Sequence, residues 1–257
     1  MKDITIKNVM PKAALPGGEV IIEYSGLELA GTSQPEVRFG DFNAQVTMAS
    51  NDHIIAKVPE SSAETGTSDL IVSTNGRTSR PFPYEVGKKL ASNLHPVANP
   101  AIDTEGNIYA TYSGRRGQKT PVSIYKVTSK GAVTPFVTDI MNATGLTFSL
   151  TGELFVSSRF EGNIYKVNSA GHTELFTEGM GIATGMAFDR DGNLYVAASL
   201  RGRRGIVRIS RDGGKAEIVV AGMNLVGLAF GANGEMAVAT NDSVYSLPLG
   251  IHGTLLD

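Results

Sequence analysis

The sequence contains no cysteine, no tryptophan and no long apolar run. Without cysteine the chain has neither disulfide bonds nor thiolate chemistry, which suits a reducing compartment. No segment approaches the ~18 consecutive apolar residues of a membrane-spanning helix, and the first residues lack the apolar stretch of a secretion signal. We therefore expect a cytoplasmic protein without a membrane partner.

An excess of positive charge is also lacking, since the formal net charge is −2 over 257 residues. Binding to nucleic acid requires a strongly positive surface, because phosphate contacts dominate the affinity. We therefore expect no nucleic-acid partner. The sequence also lacks the motifs of nucleophile elbows, phosphate-binding loops and zinc proteases, so no catalytic residue is predicted from a motif.

Short strands and glycine turns recur along the C-terminal two-thirds of the chain. In the clearest copy, apolar residues 186–188 and 194–196 flank the turn at 189–193, which is typical of a β-hairpin. The turn glycines are Gly106, Gly152, Gly192 and Gly234, so the spacings are 46, 40 and 42 residues (106 to 152, 152 to 192, 192 to 234). A period near forty built from short strands is typical of β-propeller blades.

A third strand follows in each copy, and a fourth follows in the first three. The third strands are IYKV at 124–127 and 164–167, IVRI at 206–209 and VYSL at 244–247; the fourth strands are 133–137, 173–176 and 217–220. For its fourth strand the last copy has only residues 253–256. We predict a β-propeller of about four blades at residues 88–257. The absence of tryptophan argues against blades of the WD type.

The N-terminal part, residues 1–87, contains about seven short strands separated by turn signals, which predicts an immunoglobulin-like β-sandwich. The fold class is therefore all-β. Its segments PGGEVIIEYSGL, VRFG, IIAKVP, SDLIVS and PFPYEV resemble an IPT/TIG domain. In transcription factors such domains bind DNA through basic loops. Here 7 basic and 11 acidic residues in this segment favour a packing module, and docking of a protein partner is a further possibility.

The segment GMAFDRDGNLYVAAS resembles the repeats of gluconolactonase/regucalcin-like and NHL propellers. The resemblance implies six blades, whereas this chain supplies about four. We interpret the repeats as a shortened form of such a propeller; a compact four-bladed ring and the pairing of two chains as a dimer are the alternatives. If the blades keep the angles of a six-bladed ring, the ring is open. We expect the segment near Leu90 to complete the last blade, because an unpaired strand edge promotes aggregation.

The loops that lead into the innermost strand of each blade should line the mouth of the central channel, where the blades converge. Their polar side chains are the candidate ligand-binding residues: His95, Asn99, Asn142, Thr144, Thr184 and Asn224. Such side chains also commonly satisfy backbone groups of their own loops, and the sequence leaves both interpretations open.

Two Gly-Arg loops occupy equivalent places between the second and third strands of blades one and three. Guanidinium groups match carboxylate and phosphate oxygens, so the candidate anion-binding residues are Arg115, Arg116, Lys119, Arg201, Arg203 and Arg204. A pair of merely solvated loops is the alternative. Asp103, Asp189 and Asp191 are predicted to be turn residues that bind nearby backbone amides.

These observations favour a non-catalytic protein that binds a small polar ligand or a protein partner on its channel face, without a cofactor. The alternative is a lactone or sugar-acid hydrolase. The resemblance would then imply a divalent cation such as calcium, with Asn142 in the place of the family's ligand asparagine. The family's glutamate is replaced by Asn99-Pro100, and such cations prefer carboxylate oxygens.

Overall fold

The computed structural model describes residues 3–26, 34–64, 67–87 and 100–254. The chain forms two compact units, Met1–Lys89 and Leu90–Asp257, both built from β-strands, so the predicted all-β fold is confirmed. Leu90, with its predicted role in the last blade, lies outside the described residues, as do the candidate ligand residues His95 and Asn99.

The first unit is a sandwich of two sheets. One sheet has the strand order β1-β3-β7-β6, and the other has the order β2-β10-β8-β4-β5, with β9 paired to β8. The strands are β1 (Thr5–Met10), β2 (Ala13–Ala14), β3 (Glu19–Ser25), β4 (Glu36–Phe39), β5 (Phe42–Asn43), β6 (Gln45–Ala49), β7 (His53–Lys57), β8 (Thr67–Thr74), β9 (Arg77–Thr78) and β10 (Phe82–Val86), with a 3-10 helix at Glu60–Glu64.

Alternation of side chains places one face of each sheet in a shared core. On β3, Val20 and Ile22 are fully buried while Ile21 between them is exposed. Phe39 from the opposite sheet belongs to the same core and meets the ring of Tyr84 edge-on at a centroid distance of 5.8 Å. One core enclosed between two sheets, antiparallel except for the parallel pair of β2 and β10, is consistent with the sandwich that the sequence predicts for this segment.

Within residues 100–254 the second unit forms four sheets, one for each predicted repeat. In every sheet the strands are antiparallel and adjacent in chain order. The sheets consist of β11 (Ala101–Ile102), β12 (Ile108–Thr111), β13 (Ile124–Val127) and β14 (Val133–Val137); β15 (Ala143–Phe148), β16 (Leu154–Ser158), β17 (Asn163–Val167) and β18 (Thr173–Thr177); β19 (Met186–Phe188), β20 (Leu194–Leu200), β21 (Arg203–Ile209) and β22 (Ala216–Ala221); and β23 (Leu225–Phe230), β24 (Glu235–Thr240) and β25 (Val244–Pro248).

The first strands of the repeats approach one another closely, and glycine makes this possible. The Gly185 amide donates a hydrogen bond of 3.0 Å to the Val226 carbonyl of the next sheet. A Cβ on Gly185 would lie 2.7 Å from the Gly227 Cα, which is closer than carbon atoms can pack. Between the second and third sheets, the Ser157 hydroxyl accepts from the Gly145 amide at 2.8 Å and donates to the Thr184 carbonyl at 2.9 Å.

Among the described residues the fourth sheet has three strands, and residues 253–254, the described part of the short segment that the sequence leaves for a fourth strand, do not pair with it. Gly253 instead forms an antiparallel bridge with Asp189, and the Thr254 amide donates to the Phe188 carbonyl at 3.1 Å. The chain therefore returns from β25 to the inner strand of the third sheet. Val244 on β25 is 75% exposed, whereas its counterparts Ile124, Ile164 and Ile206 are fully buried.

Candidate functional site

The inner strands of the four sheets line a common channel. Near the C-terminal ends of these strands the channel forms a cavity of about 410 Å³, and Ile102, Phe148, Phe188 and Phe230 each contribute from a different sheet. Thr254, from the returning C-terminal segment, also lines it. This end of the channel is lined mainly by apolar side chains and carries no charged group among its described lining residues.

Two smaller cavities lie at the opposite ends of the inner strands, where the predicted candidates are found. The first has a volume of about 340 Å³ and is lined by Ser113, Gly114, Arg116, Asn142, Thr144, Arg159, Phe160 and Ile182. The second has a volume of about 240 Å³, and its polar lining residues are Arg159, Thr184, Ser199, Arg204, Asn224 and Asn241. Arg159 and Ile182 line both cavities, so the two are neighbours.

Equivalent positions of the repeat supply most of the polar side chains in this lining. Ser113, Arg159, Ser199 and Asn241 each stand seven residues after the turn glycine of their repeat (106, 152, 192, 234) and follow or end its second strand. Thr144 and Thr184 stand eight residues before that glycine, at the start of the inner strands. Because each repeat places these positions at the same end of the channel, residues far apart in sequence line a common surface.

Asn142 is held by an adjacent loop of the first sheet. Its amide oxygen accepts from the Gly117 backbone N–H at 2.9 Å, and its amide nitrogen donates to the Ser113 hydroxyl and to the carbonyls of Gly114 and Arg115 at 3.1–3.2 Å. Its φ of 49° lies in the left-handed region that asparagine tolerates. Asn142 therefore fixes the shape of the 113–117 loop.

The other candidate ligand residues are divided between the two cavities. The Thr144 hydroxyl lines the first and donates to the Asn142 carbonyl at 2.9 Å. Thr184 lines the second and donates to the Ala197 carbonyl at 3.1 Å. Asn224 also lines the second cavity, with an exposed side chain and a φ of 56°. The two threonine hydroxyls thus already bind backbone, and Asn224 faces solvent.

The basic candidates are divided in the same way. Arg116 lines the first cavity and Arg204 the second, while Arg115, Lys119, Arg201 and Arg203 line neither. Arg203 and Arg204 lie on β21, which begins three residues earlier than the sequence predicts. The reason is the hairpin turn, which has only two residues, Arg201 and Gly202, with φ of 51° and 78°. Positive φ at both positions matches the twist of the flanking strands.

Arg159 is the residue that sequence reasoning missed. Its backbone N–H donates to the Asn142 carbonyl at 3.1 Å, which fixes the start of its loop against the inner strand. Its side chain lines both cavities. The signal that would have found it is its position seven residues after Gly152, where the other repeats have Ser113, Ser199 and Asn241.

The charged side chains in the described linings of the two cavities are all positive. The described linings of the two cavities contain three arginines and no carboxylate, and none of the ion pairs among the described residues includes Arg116, Arg159 or Arg204. Glu161 is close in sequence, but its carboxylate accepts from the Tyr165 hydroxyl at 3.1 Å. An anion in either cavity would therefore meet guanidinium groups without displacing an internal partner.

Asp103 and Asp189 are confirmed as turn residues. The Asp189 carboxylate accepts from the backbone N–H groups of Asp191 and Asn193 and from the Asn193 side chain at 2.8–3.0 Å. Partial burial acts to raise the pKa of Asp103, but hydrogen bonds from Asn107, Tyr109 and the Glu105 amide outweigh it and hold that pKa below its usual range. These carboxylates lie away from the two cavities.

A metal centre is not formed by the described residues, because no three of their acidic, histidine or cysteine side chains come together. Asn142, the ligand implied by the lactonase resemblance, already uses its amide oxygen to accept from Gly117. The same part of the chain contains no helix long and apolar enough to cross a membrane.

Comparison with known proteins agrees with this architecture. The family model described as the IPT/TIG domain matches residues 5–86, and the N-terminal unit is therefore an IPT/TIG domain. No curated protein sequence matches the chain.

Solved structures with a similar fold include a candidate gluconolactonase at 17% identity and a TM-score of 0.54, covering 79% of this chain and 80% of that one. Regucalcin, a calcium-binding protein from Agrobacterium tumefaciens, is 17% identical with a TM-score of 0.50, covering 82% and 84%. A luciferin-regenerating enzyme is 14% identical with a TM-score of 0.50, covering 93% and 90%. At these identities the likeness shows the fold alone, which is that of gluconolactonase-like propellers.

Proposed function

We propose that the propeller unit is a non-catalytic binding module for a small anionic molecule, which it holds in the two cavities beside Arg159. The observation that carries the proposal is the set of three arginines, without a carboxylate, in the lining of two adjoining cavities. Volumes of about 340 and 240 Å³ are near the lower end for small-molecule sites, ~300–1,000 Å³. Concave sites of this size fit a small ligand better than they fit the surface of a protein partner.

Hydrolysis of a lactone is the alternative, and the donor set of the described residues does not favour it. Calcium and magnesium require several oxygen ligands, usually including carboxylates, and neither cavity offers one. General base catalysis requires a titratable group within hydrogen-bond reach of the attacking water. The polar side chains of the described lining are amides, hydroxyls and guanidinium groups, which suit recognition better than proton transfer.

Calorimetric titration of the full chain with sulfate, phosphate and short carboxylates tests the proposal. We expect at least one of these anions to bind, Arg159→Gln to weaken that binding at least tenfold, and Arg201→Gln, which removes an exposed arginine outside both cavities, to leave it unchanged. Equal effects of the two substitutions would show that general surface charge is responsible. Calcium-dependent turnover of a lactone panel that Asn142→Ala abolishes would instead establish the hydrolase.

A further inference from the structure

We infer that the ligand carries two separated negative charges joined by a short apolar spacer, as an aliphatic dicarboxylate does, and that it lies across both cavities. This inference rests on the proposed binding function and adds the chemical class of the ligand. It follows from the way that the arginines and the apolar side chains are distributed between the cavities.

Each cavity has one arginine of its own and shares a second. Arg116 lines only the first cavity, Arg204 only the second, and Arg159 lines both. A ligand with one anionic group would use Arg159 and leave one of the outer guanidinium groups without a partner. A ligand with an anionic group in each cavity engages all three, and each carboxylate offers two oxygens to the planar guanidinium groups.

The apolar contacts lie where the spacer of such a ligand would pass. Ile182 lines both cavities and is 43% exposed, and Phe160, which lines the first, is 49% exposed. Methylene groups of a ligand would remove apolar surface of these two side chains from water, which is favourable in proportion to the area covered. A hydroxylated spacer would gain less there.

The backbone beneath the two outer arginines is held in place. Asn142 binds the Arg115 carbonyl, directly before Arg116, at 3.2 Å. Arg204 lies on β21 opposite Ser199, and its carbonyl accepts from the Gly222 amide at 3.2 Å. Because the backbone positions are fixed, the second anionic group of a bound ligand is at a high effective concentration near the second arginine. It therefore adds affinity without the full entropic cost of a separate binding event.

The test is calorimetric titration of the full chain with succinate, glutarate and adipate, and with butyrate as the matched monocarboxylate. We expect one of the diacids to bind at least tenfold more tightly than butyrate. Arg116→Gln and Arg204→Gln should each reduce that diacid to about the affinity of butyrate, while leaving butyrate itself changed by less than about threefold. Arg159→Gln should weaken both compounds, and Arg201→Gln neither.

The outcomes separate this inference from the proposed function. If butyrate binds as tightly as every diacid, and Arg159→Gln weakens it, the cavities bind single anions and the inference is wrong although the binding function stands. If the diacid is tighter but Arg116→Gln and Arg204→Gln have no effect, the second charge lies elsewhere and the inference is also wrong. If no carboxylate binds but sulfate or phosphate does, the inference is wrong and the binding function stands; if none of these anions binds, both are wrong.

Discussion

The contact between the inner strands of the third and fourth sheets can be tested by adding one methyl group. In Gly185→Ala the new Cβ would lie 2.7 Å from the Gly227 Cα and 2.9 Å from the Val226 carbonyl oxygen. Both neighbours are backbone atoms, so the strands must separate to admit it. Overpacking of this kind costs ~1–3 kcal/mol. Weakening of the 3.0 Å hydrogen bond from Gly185 to Val226 adds ~0.5–1.5 kcal/mol.

We therefore expect Gly185→Ala to lower the free energy of unfolding of the propeller unit by about 2–4 kcal/mol. The measurement is urea unfolding followed by circular dichroism, with the midpoint and slope compared between variants. Gly227→Ala is the matched control, because it stands at the equivalent position of the next repeat and a Cβ there meets nothing within 4 Å. Its expected change is within about 0.5 kcal/mol of zero.

Equal and large losses in the two variants would refute this reasoning. Such a result would mean that another element packs against Gly227 in solution, as the next sheet packs against Gly185. Equal and small losses would mean that the inner strands can separate without cost, and the close packing of the third and fourth sheets would then contribute little to stability.

Three further predictions follow from hydrogen bonds and burial. Asn142→Ala should destabilise the propeller unit by about 1–3 kcal/mol more than Asn224→Ala in urea unfolding, because both residues have positive φ but only Asn142 binds a neighbouring loop; equal losses would contradict this. Asp189→Ala should lower the free energy of unfolding by about 2–4 kcal/mol, because three hydrogen bonds are lost. Asp191→Ala, at an exposed position, is the control and should leave the free energy of unfolding nearly unchanged. Similar values for the two variants would show that the Asp189 carboxylate does not stabilise the turn. Burial, with the nearby Asp189 charge, raises the pKa of Tyr195 from 10.0 to about 12. The unfolded chain releases this proton at lower pH than the folded chain does, so the free energy of unfolding falls as the pH rises through that range. Tyr195→Phe should make this fall less steep, and an unchanged slope would contradict the prediction.

The number of repeats and the positions of most strands could be predicted from regular patterns in the sequence. The spacing of Gly106, Gly152, Gly192 and Gly234 marks four units, and short apolar segments such as residues 164–167 mark strands, in which Ile164 and Val167 are buried. These patterns repeat, so each copy supports the interpretation of the others. The ends of the strands were harder to predict. β21 begins at Arg203 because the two-residue turn at Arg201 and Gly202 lengthens the hairpin, and the sequence alone does not distinguish this turn from a longer loop.

The candidate site was predictable only in part, for a physical reason. Thr144 and Thr184 recur at one repeat position, so their place at one end of the channel follows from the period. Arg159 occurs in one repeat only, and its importance depends on the adjoining cavities that its side chain lines. The bridge between Asp189 and Gly253 joins residues far apart in sequence through a single pair, which leaves no periodic signal.

That bridge has a consequence for how the molecule opens. In arrays of repeats, a terminal unit ordinarily frays by itself, because it has a neighbour on one side only. Here the chain leaves the third sheet, forms the fourth and then binds Phe188 and Asp189 of the third repeat. The segment that contains the fourth sheet is therefore joined to the third repeat at both of its ends. Amide hydrogens in β24 should then exchange with solvent at the same rate as those of β19 rather than faster. The last repeat should unfold only when its contacts with the third repeat break.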